Sequence, residues 1–232
     1  EYQMKGVNQV QVNVQAGLTF ASALRSFLRQ DPNIMMVGEI RDTETAELAV
    51  NAALTGHLVF STLHTNDASG AAPRMMDMGV EPFLLTSALT CVVAQRVLRK
   101  VCPHCHQDME IPPDKEAEMK MTLGPIYEMI EERWKKEGKK MTIPKIVGCD
   151  KCNNTGYFGR IAIYEVMPIT EKISKLIVEK ASASDIQKQA ISEGMLTMKQ
   201  DGYVKVLEGV TSIDEVLRVA QYKIFNFQLS II

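Results

Sequence analysis

Four of the five cysteines stand as two C-x-x-C pairs, Cys102 with Cys105 and Cys149 with Cys152. Each pair can present two thiolates to one ion at about 2.3 Å, and two such knuckles close a tetrahedral site for which zinc is the expected metal. Four protein ligands leave no open position, so such a zinc organises a fold and does no chemistry. Free thiols and redox chemistry are the competing readings, and the long gap between the pairs weakens the argument from spacing. His104 and His106 flank the first pair and read as exposed loop histidines, because four thiolates already fill the coordination sphere. Cys91, in the apolar run "LTCVVAQ", reads as a buried thiol.

The second candidate is Glu39, at the end of the apolar run in "DPNIMMVGEIRDTETA". Taken alone an acid at a strand end is weak evidence, since a solvated glutamate there is ordinary. In a nucleotide-hydrolysing site a carboxylate at that place accepts a proton from the attacking water or helps to hold Mg2+. His57 and His64 bracket the next apolar run, with Thr62, Thr65 and Asp67 beside the second of them. A lone histidine is usually structural; this grouping suits a polar cluster that senses a γ-phosphate.

These residues must be positioned by a chain of 232 residues with 46% hydrophobic content, long enough for one large domain or a medium domain with an appendage. A net charge of -2 and a pI near 6.2 give no field of one sign, so nothing points to nucleic acid. No apolar run reaches the roughly 18 residues needed to cross a bilayer. The start "EYQMKGVNQ" lacks the pattern of a signal peptide, and a cytosolic chain cut from something longer is expected. "QVQVNV" alternates as a half-buried strand, with Val10, Val12 and Val14 on one side. "LTFASALRSFLRQDP" predicts a helix capped by Thr19. "IMMV" and "HLVFST" predict strands, separated by a helix from Thr43 to Thr55 that stops at Gly56. Helices are predicted at Ala68–Met78 and from Pro82 to about Lys100. Uninterrupted apolar strands alternating with helices imply a parallel sheet covered on both faces, with its ligand at the carboxyl ends of the strands.

Residues 106–148 form a charged excursion with one predicted helix, Pro125 to Lys136. "IAIYEV" predicts a strand. Helices are then expected from Thr170, after Ser184 up to Gly194, and from Met198 to Glu208. Ser212 with Glu215 would form a capping box for the last. The tail "IFNFQLSII" is either docked or a sticky end.

Together, "LRQDPNIMMVGEIRD", "TGHLVFSTLHTNDA", "MGVEPFLLTSAL", "AQRVLRKVCPHC", "CDKCNNTGYFGRIAIYEVM" and "EGMLTMKQDG" with "EGVTSIDEVLRVA" resemble the ATPases of type II secretion and type IV pilus assembly. The resemblance implies an α/β fold: a truncated RecA-like P-loop NTPase core over 1–100, a tetracysteine zinc module over 101–168 and a C-terminal helical domain over 169–232. It makes Glu39 the catalytic glutamate of an atypical Walker B box. Gly38 stands where other P-loop enzymes place the Mg2+-binding Asp, and Arg41 and Asp42 follow in the same box. His57, His64 and Thr65 match the histidine box, and Glu1 falls where the acidic Asp box ends. Asn33 departs from the family's common Asp, before the strand. The G-x-x-x-x-G-K-[ST] loop that cradles phosphates precedes these boxes in the family, and no such run occurs here.

The resemblance further implies ATP and Mg2+ as ligands of the intact protein, a homo-hexamer, and an inner-membrane platform protein as partner. The chain would be cytoplasmic, peripheral at the inner-membrane face, without a membrane span. Arg25, Arg29, Arg41 and Arg96 are candidates for phosphate or neighbour-subunit contacts, against ordinary surface ion pairs. Retraction ATPases of the superfamily usually lack the cysteine clip, which favours the assembly and secretion branch. The rival reading is a non-catalytic, zinc-stabilised interaction module; a zinc-ribbon nucleic-acid binder would need more basic and aromatic residues around the knuckles.

Overall fold

In the computed structural model, which describes residues 3–221 and 228–231, the centre of the first unit is a pair of parallel strands. β1 (Ile34–Val37) pairs with β2 (Leu58–Leu63) in the register Ile34 to Leu58 and Val37 to Ser61. Met35, Val37, Val59, Ser61 and Leu63 share a face that is at most 5% exposed. Ile34 and Met36 are each 63% exposed and Leu58 42%, so the expected cover on both faces is corrected: an apolar run permits burial on two sides but does not supply the second layer.

α1 (Phe20–Phe27) begins with a capping box in which Thr19 and Ser22 exchange side-chain and backbone bonds, and it buries Ala21, Ala23 and Leu24. α2 (Thr43–Leu54) links β1 to β2 and packs on α1 and β2 with a face of small residues, Thr45, Ala46, Ala49, Val50 and Ala52. Gly56, at φ 99°, turns the chain out of α2. α3 (Ala71–Asp77) and α4 (Pro82–Ala88) follow.

The predicted helix over Pro82 to Lys100 ends early. Leu89 is already extended, and β3 (Cys91–Val101) takes over. Its burial alternates through Val92, Ala94, Arg96 and Leu98, and its valines favour a strand. "QVQVNV" is not a strand: Val10 is 50% and Val14 72% exposed, and the stretch has one bridge, Asn13 with Leu18. Without a ladder of neighbours an alternating pattern has nothing to pair with.

Residues 106–148 contain β4 (Gln107–Glu110), α5 (Pro113–Leu123), α6 (Pro125–Lys136) and β5 (Thr142–Lys145), the two strands pairing antiparallel. α5 was not predicted; it buries only Met119 and Leu123, and its signal lies in Pro113 and the acidic first turn. β6 (Tyr157–Pro168), α7 (Glu171–Val178), α8 (Ala183–Ser192), α9 (Met198–Leu207) and α10 (Ile213–Gln221) follow as expected. β7 (Gln228–Ile231) inserts antiparallel between β2 and the start of β3, so this part of the tail is docked; 222–227 and 232 lie outside the described residues. The sheet order is β1-β2-β7-β3-β6, mixed and not purely parallel.

The described residues form two compact units, one from 3–93, 167–192 and 228–231, the other from 94–166 and 193–221. In the second, α5 packs on α9, where Glu118 accepts from Lys199 at 2.9 Å and from the Tyr203 hydroxyl at 2.7 Å. Gly202 lets α10 approach α9, since a Cβ there would sit 2.7 Å from Val216.

The expected Ser212–Glu215 capping box is halved. The Glu215 N–H donates to Ser212 Oγ at 3.3 Å, but the carboxylate turns inward. It accepts from the Arg99 main chain at 3.0 Å and from both guanidiniums, Arg99 Nη2 at 2.7 Å and Arg218 Nη2 at 2.6 Å. The two cations draw it away from the helix end. Burial alone would raise the Glu215 pKa; the Arg218 and Arg99 bonds outweigh it and lower it from 4.5 to about 2.

A folded-state pKa below the unfolded one contributes stability above about pH 4.5 that is lost as pH falls toward 2. Glu215→Gln should lower unfolding free energy at neutral pH by about 2 kcal/mol. Urea unfolding across that acid window should show the wild type approaching the variant, with the gap closing at the acid end.

Candidate functional site

β1 ends at Val37, and the chain runs on through Gly38, Glu39 and Ile40 beside the end of β2. The Ile40 N–H donates to the Thr62 carbonyl at 3.0 Å, and the Thr62 hydroxyl donates to the Gly38 carbonyl at 2.6 Å. Glu39 is thereby set at the carboxyl edge of the parallel pair with its side chain 20% exposed. Its Oε2 lies 2.7 Å from Arg41 Nε and 3.1 Å from His64 Nε2. The guanidinium and the imidazole together orient the carboxylate at this edge of the sheet.

The neighbouring site residues are engaged in local caps. Asp42 starts α2: Oδ1 accepts from the Thr45 N–H at 2.8 Å and Oδ2 from the Thr45 hydroxyl at 3.1 Å. The Thr65 hydroxyl donates to the Asp67 carbonyl at 3.1 Å, and Asp67 Oδ1 accepts from the Ser69 hydroxyl and the Gly70 N–H, each at 2.8 Å. His57 stands at the opposite end of β2, with Nδ1 2.9 Å from the Ala52 carbonyl and 3.1 Å from the Thr55 hydroxyl. The structure thus gathers Gly38, Glu39, Arg41 and His64, and leaves His57 at the turn out of α2. Glu1 lies outside the described residues. Arg25 pairs with Glu44, and Arg96 is buried and donates to the Val219 carbonyl at 2.7 Å. Thr62, noted in sequence only as a polar neighbour of His64, gains a specific role from its bonds on either side of Glu39.

In the second unit the four C-x-x-C sulfurs all lie within 4.8 Å of one another. The Sγ atoms of Cys102 and Cys149 are 4.0 Å apart, those of Cys105 and Cys152 3.9 Å, and those of Cys149 and Cys152 3.7 Å. A tetrahedron with metal–sulfur bonds of about 2.3 Å has edges of about 3.8 Å. A disulfide needs about 2.05 Å, so these are thiols arranged around a common centre. His106 is tied by Nδ1 to the Cys102 carbonyl at 3.0 Å, and the candidate ligand set contains no histidine. Cys91 is half-buried, not buried as predicted.

The knuckle backbones are pressed together. The Cys102 N–H donates to the Gly156 carbonyl at 2.9 Å, and the N–H groups of Cys149 and Gly156 donate to Cys152 Sγ at 3.3 and 3.2 Å. Gly156 has φ +72°, and a Cβ on it would lie 2.3 Å from the Val147 carbonyl. Burial, then the Cys149, Cys102 and Cys152 thiols, push the Cys105 pKa up to about 12. At Cys152 burial pulls the same way, but the N–H donors of Cys149 and Gly156 outweigh it and bring the thiol to about 6. One thiolate forms readily and the next is resisted by its neighbours; a dication at the centre removes that resistance.

The Type II/IV secretion system protein family matches residues 1–218. The type IV pilus assembly ATPase PilB of Thermus thermophilus is 49% identical over 217 residues, covering 94% of this chain and 23% of that protein. Type II secretion system protein E of Aeromonas hydrophila is 47% identical, covering 95% and 41%. The chain therefore spans less than half the length of these relatives. Among solved structures, the pilus retraction motor PilT with bound ADP aligns with a TM-score of 0.55 at 27% identity, over 86% of this chain and 43% of that one. The ATPase DotB of Yersinia pseudotuberculosis aligns at 0.57 and 20% identity over 88% and 41%, which speaks for the fold alone. The mixed α/β architecture is RecA-like.

The cysteine geometry predicts one divalent ion per chain by elemental analysis. Cys149→Ser should lose it and lower the thermal midpoint by about 10 °C, on the order of 3 kcal/mol. Acidification should release the ion, because each liberated thiolate regains a proton.

Proposed function

The chain belongs to the Type II/IV secretion system protein family, and from that premise we propose that it forms the later half of a RecA-like ATPase that powers type IV pilus assembly or type II secretion. The observation that carries the reading is Glu39, held beside His64 and Arg41 at the carboxyl edge of a parallel strand pair. Glu39 acts as general base toward the water that attacks the γ-phosphate, with His64 and Arg41 orienting its carboxylate. Magnesium bound with the nucleotide supplies charge neutralisation at the phosphates. Of the run from Gly38 to Asp42, Glu39 is the carboxylate open to such a role, because both Asp42 oxygens serve the α2 cap.

The phosphate-cradling loop belongs, in this reading, to the portion of the longer relatives that these residues do not span. Residues 1–100 contribute the catalytic edge, 101–168 the cysteine module and 169–232 a helical region. A structural zinc in the four-cysteine centre is supported by the all-sulfur ligand set and its tetrahedral spacing. The intact protein works as a homo-hexamer on the cytoplasmic face of the inner membrane, against a platform protein. No helix among the described residues is long and apolar enough to cross a membrane.

Glu39→Gln in the full-length protein should lower kcat for ATP hydrolysis by about 10²- to 10⁴-fold while nucleotide binding is kept. A loss below about tenfold would remove the base assignment, and no ATP turnover by the full-length wild type would favour the non-catalytic interaction module.

A further inference from the structure

Glu39 sits in irregular chain just past β1, not within a strand, and such a segment is ordinarily freer to vary its backbone than a residue of the ladder. Here it is held on both sides by one residue. The Thr62 carbonyl accepts from the N–H of Ile40, the residue after Glu39, at 3.0 Å. The Thr62 hydroxyl donates to the carbonyl of Gly38, the residue before Glu39, at 2.6 Å. The first bond joins two main-chain groups just past the β1–β2 ladder and is available to any residue at position 62. The second requires a hydroxyl.

Position 38 contributes through its carbonyl and not through being glycine. A Cβ there would meet the Phe20 ring at 3.6 Å, an ordinary contact, and its φ is not in the left-handed region. The same strand then places His64, two residues on and so on the same side as Thr62, with Nε2 3.1 Å from Glu39 Oε2. One strand end therefore grips the 38–40 segment at three points, two on the backbone and one on the carboxylate.

We propose that Thr62 is the positioning residue of the site, fixing through its hydroxyl the backbone from which the Glu39 carboxylate is aimed. This rests on the reading of Glu39 as the general base. Thr62 touches no reacting atom in that reading; it acts by holding Glu39, and a misplacement of about 1 Å at a reacting group can lower a rate by about 10²-fold.

The test is ATP turnover by the full-length protein with Thr62→Val, which keeps the shape and strand propensity but removes the donor, Thr62→Ala as a second removal, and Thr62→Ser, which restores the hydroxyl. Both removals should lower kcat by about ten- to a hundredfold with KM for ATP within about twofold and an unchanged thermal midpoint, and serine should recover most of the loss. Full kcat in Thr62→Val beside an inactive Glu39→Gln control overturns the inference and leaves Glu39 as base. A kcat loss that tracks a fall in thermal midpoint, or that serine does not recover, overturns it as well. An active Glu39→Gln control removes the reading of Glu39, and the role of Thr62 with it.

Discussion

The parallel register of β1 and β2 is the constraint on which the candidate site depends. Two strands that run the same way deliver their carboxyl ends to the same edge, so the residues after each must meet there. Burial holds the register: Met35 and Val37 are 5% exposed and Val59 0%, and each such side chain contributes about 1.5–3 kcal/mol by leaving water. A slip of one residue would turn that whole face to solvent and carry His64 about 3.3 Å along the strand, out of reach of Glu39. Packing two to five residues away thus sets a polar contact that has little stability of its own.

The second unit is organised by different means. Cys102 and Cys149 are 47 residues apart in sequence and 4.0 Å apart at sulfur, with β4, two helices and β5 between them. Closing a loop of that length costs several kcal/mol of chain entropy, growing slowly with length. The β4–β5 ladder and the packing of α5 on α9 offset part of it, and a metal at the sulfurs would offset the rest. The tight crossing of Gly148 and Gly156 against Asn154 and Val147 leaves no room for side chains at either glycine. The excursion is therefore a closed substructure, tied at its base by the knuckles and along its length by Glu118.

What was legible in the sequence was mostly local. Thr19, Thr170, Gly56, Gly194 and Gly209 marked helix ends because caps are made by residues within a turn of one another. The strand ending before Glu39 and the pairing of knuckles were legible for the same reason. Failures fell where a distant partner decides. "CVVAQRVLRKV" has enough helix-forming residues to extend the helix begun at Pro82, and its place between β7 and β6 makes it a strand. "QVQVNV" has a strand's alternation and lacks the neighbour. Glu215 met the local rule for a capping box, but Arg99, 116 positions earlier in the chain, drew its carboxylate away. The two histidines illustrate the geometry: seven residues along an extended strand are about 23 Å, so His57 and His64 cannot share one cluster.

Two of the carboxylates paired with guanidinium groups, Glu215 and Glu39, show opposite consequences of the same contact. Glu215 has a side chain 0% exposed and two arginines, so separating it from them would leave a charge stranded in the interior; that pair is fixed for the life of the fold. The Glu39 side chain is 20% exposed and its Arg41 partner 65%, an environment in which ion pairs contribute about 0–1 kcal/mol. Such a contact cannot be what keeps the segment in place. Thr62 and the strand ladder do that through the backbone, and the pair with Arg41 is left free to exchange. In the proposed ATPase, a phosphate group would compete for the guanidinium at little cost, while the backbone beneath Glu39 stays where β2 holds it. Separating a firmly held main chain from a loosely held ion pair lets the carboxylate keep its position and change its partner.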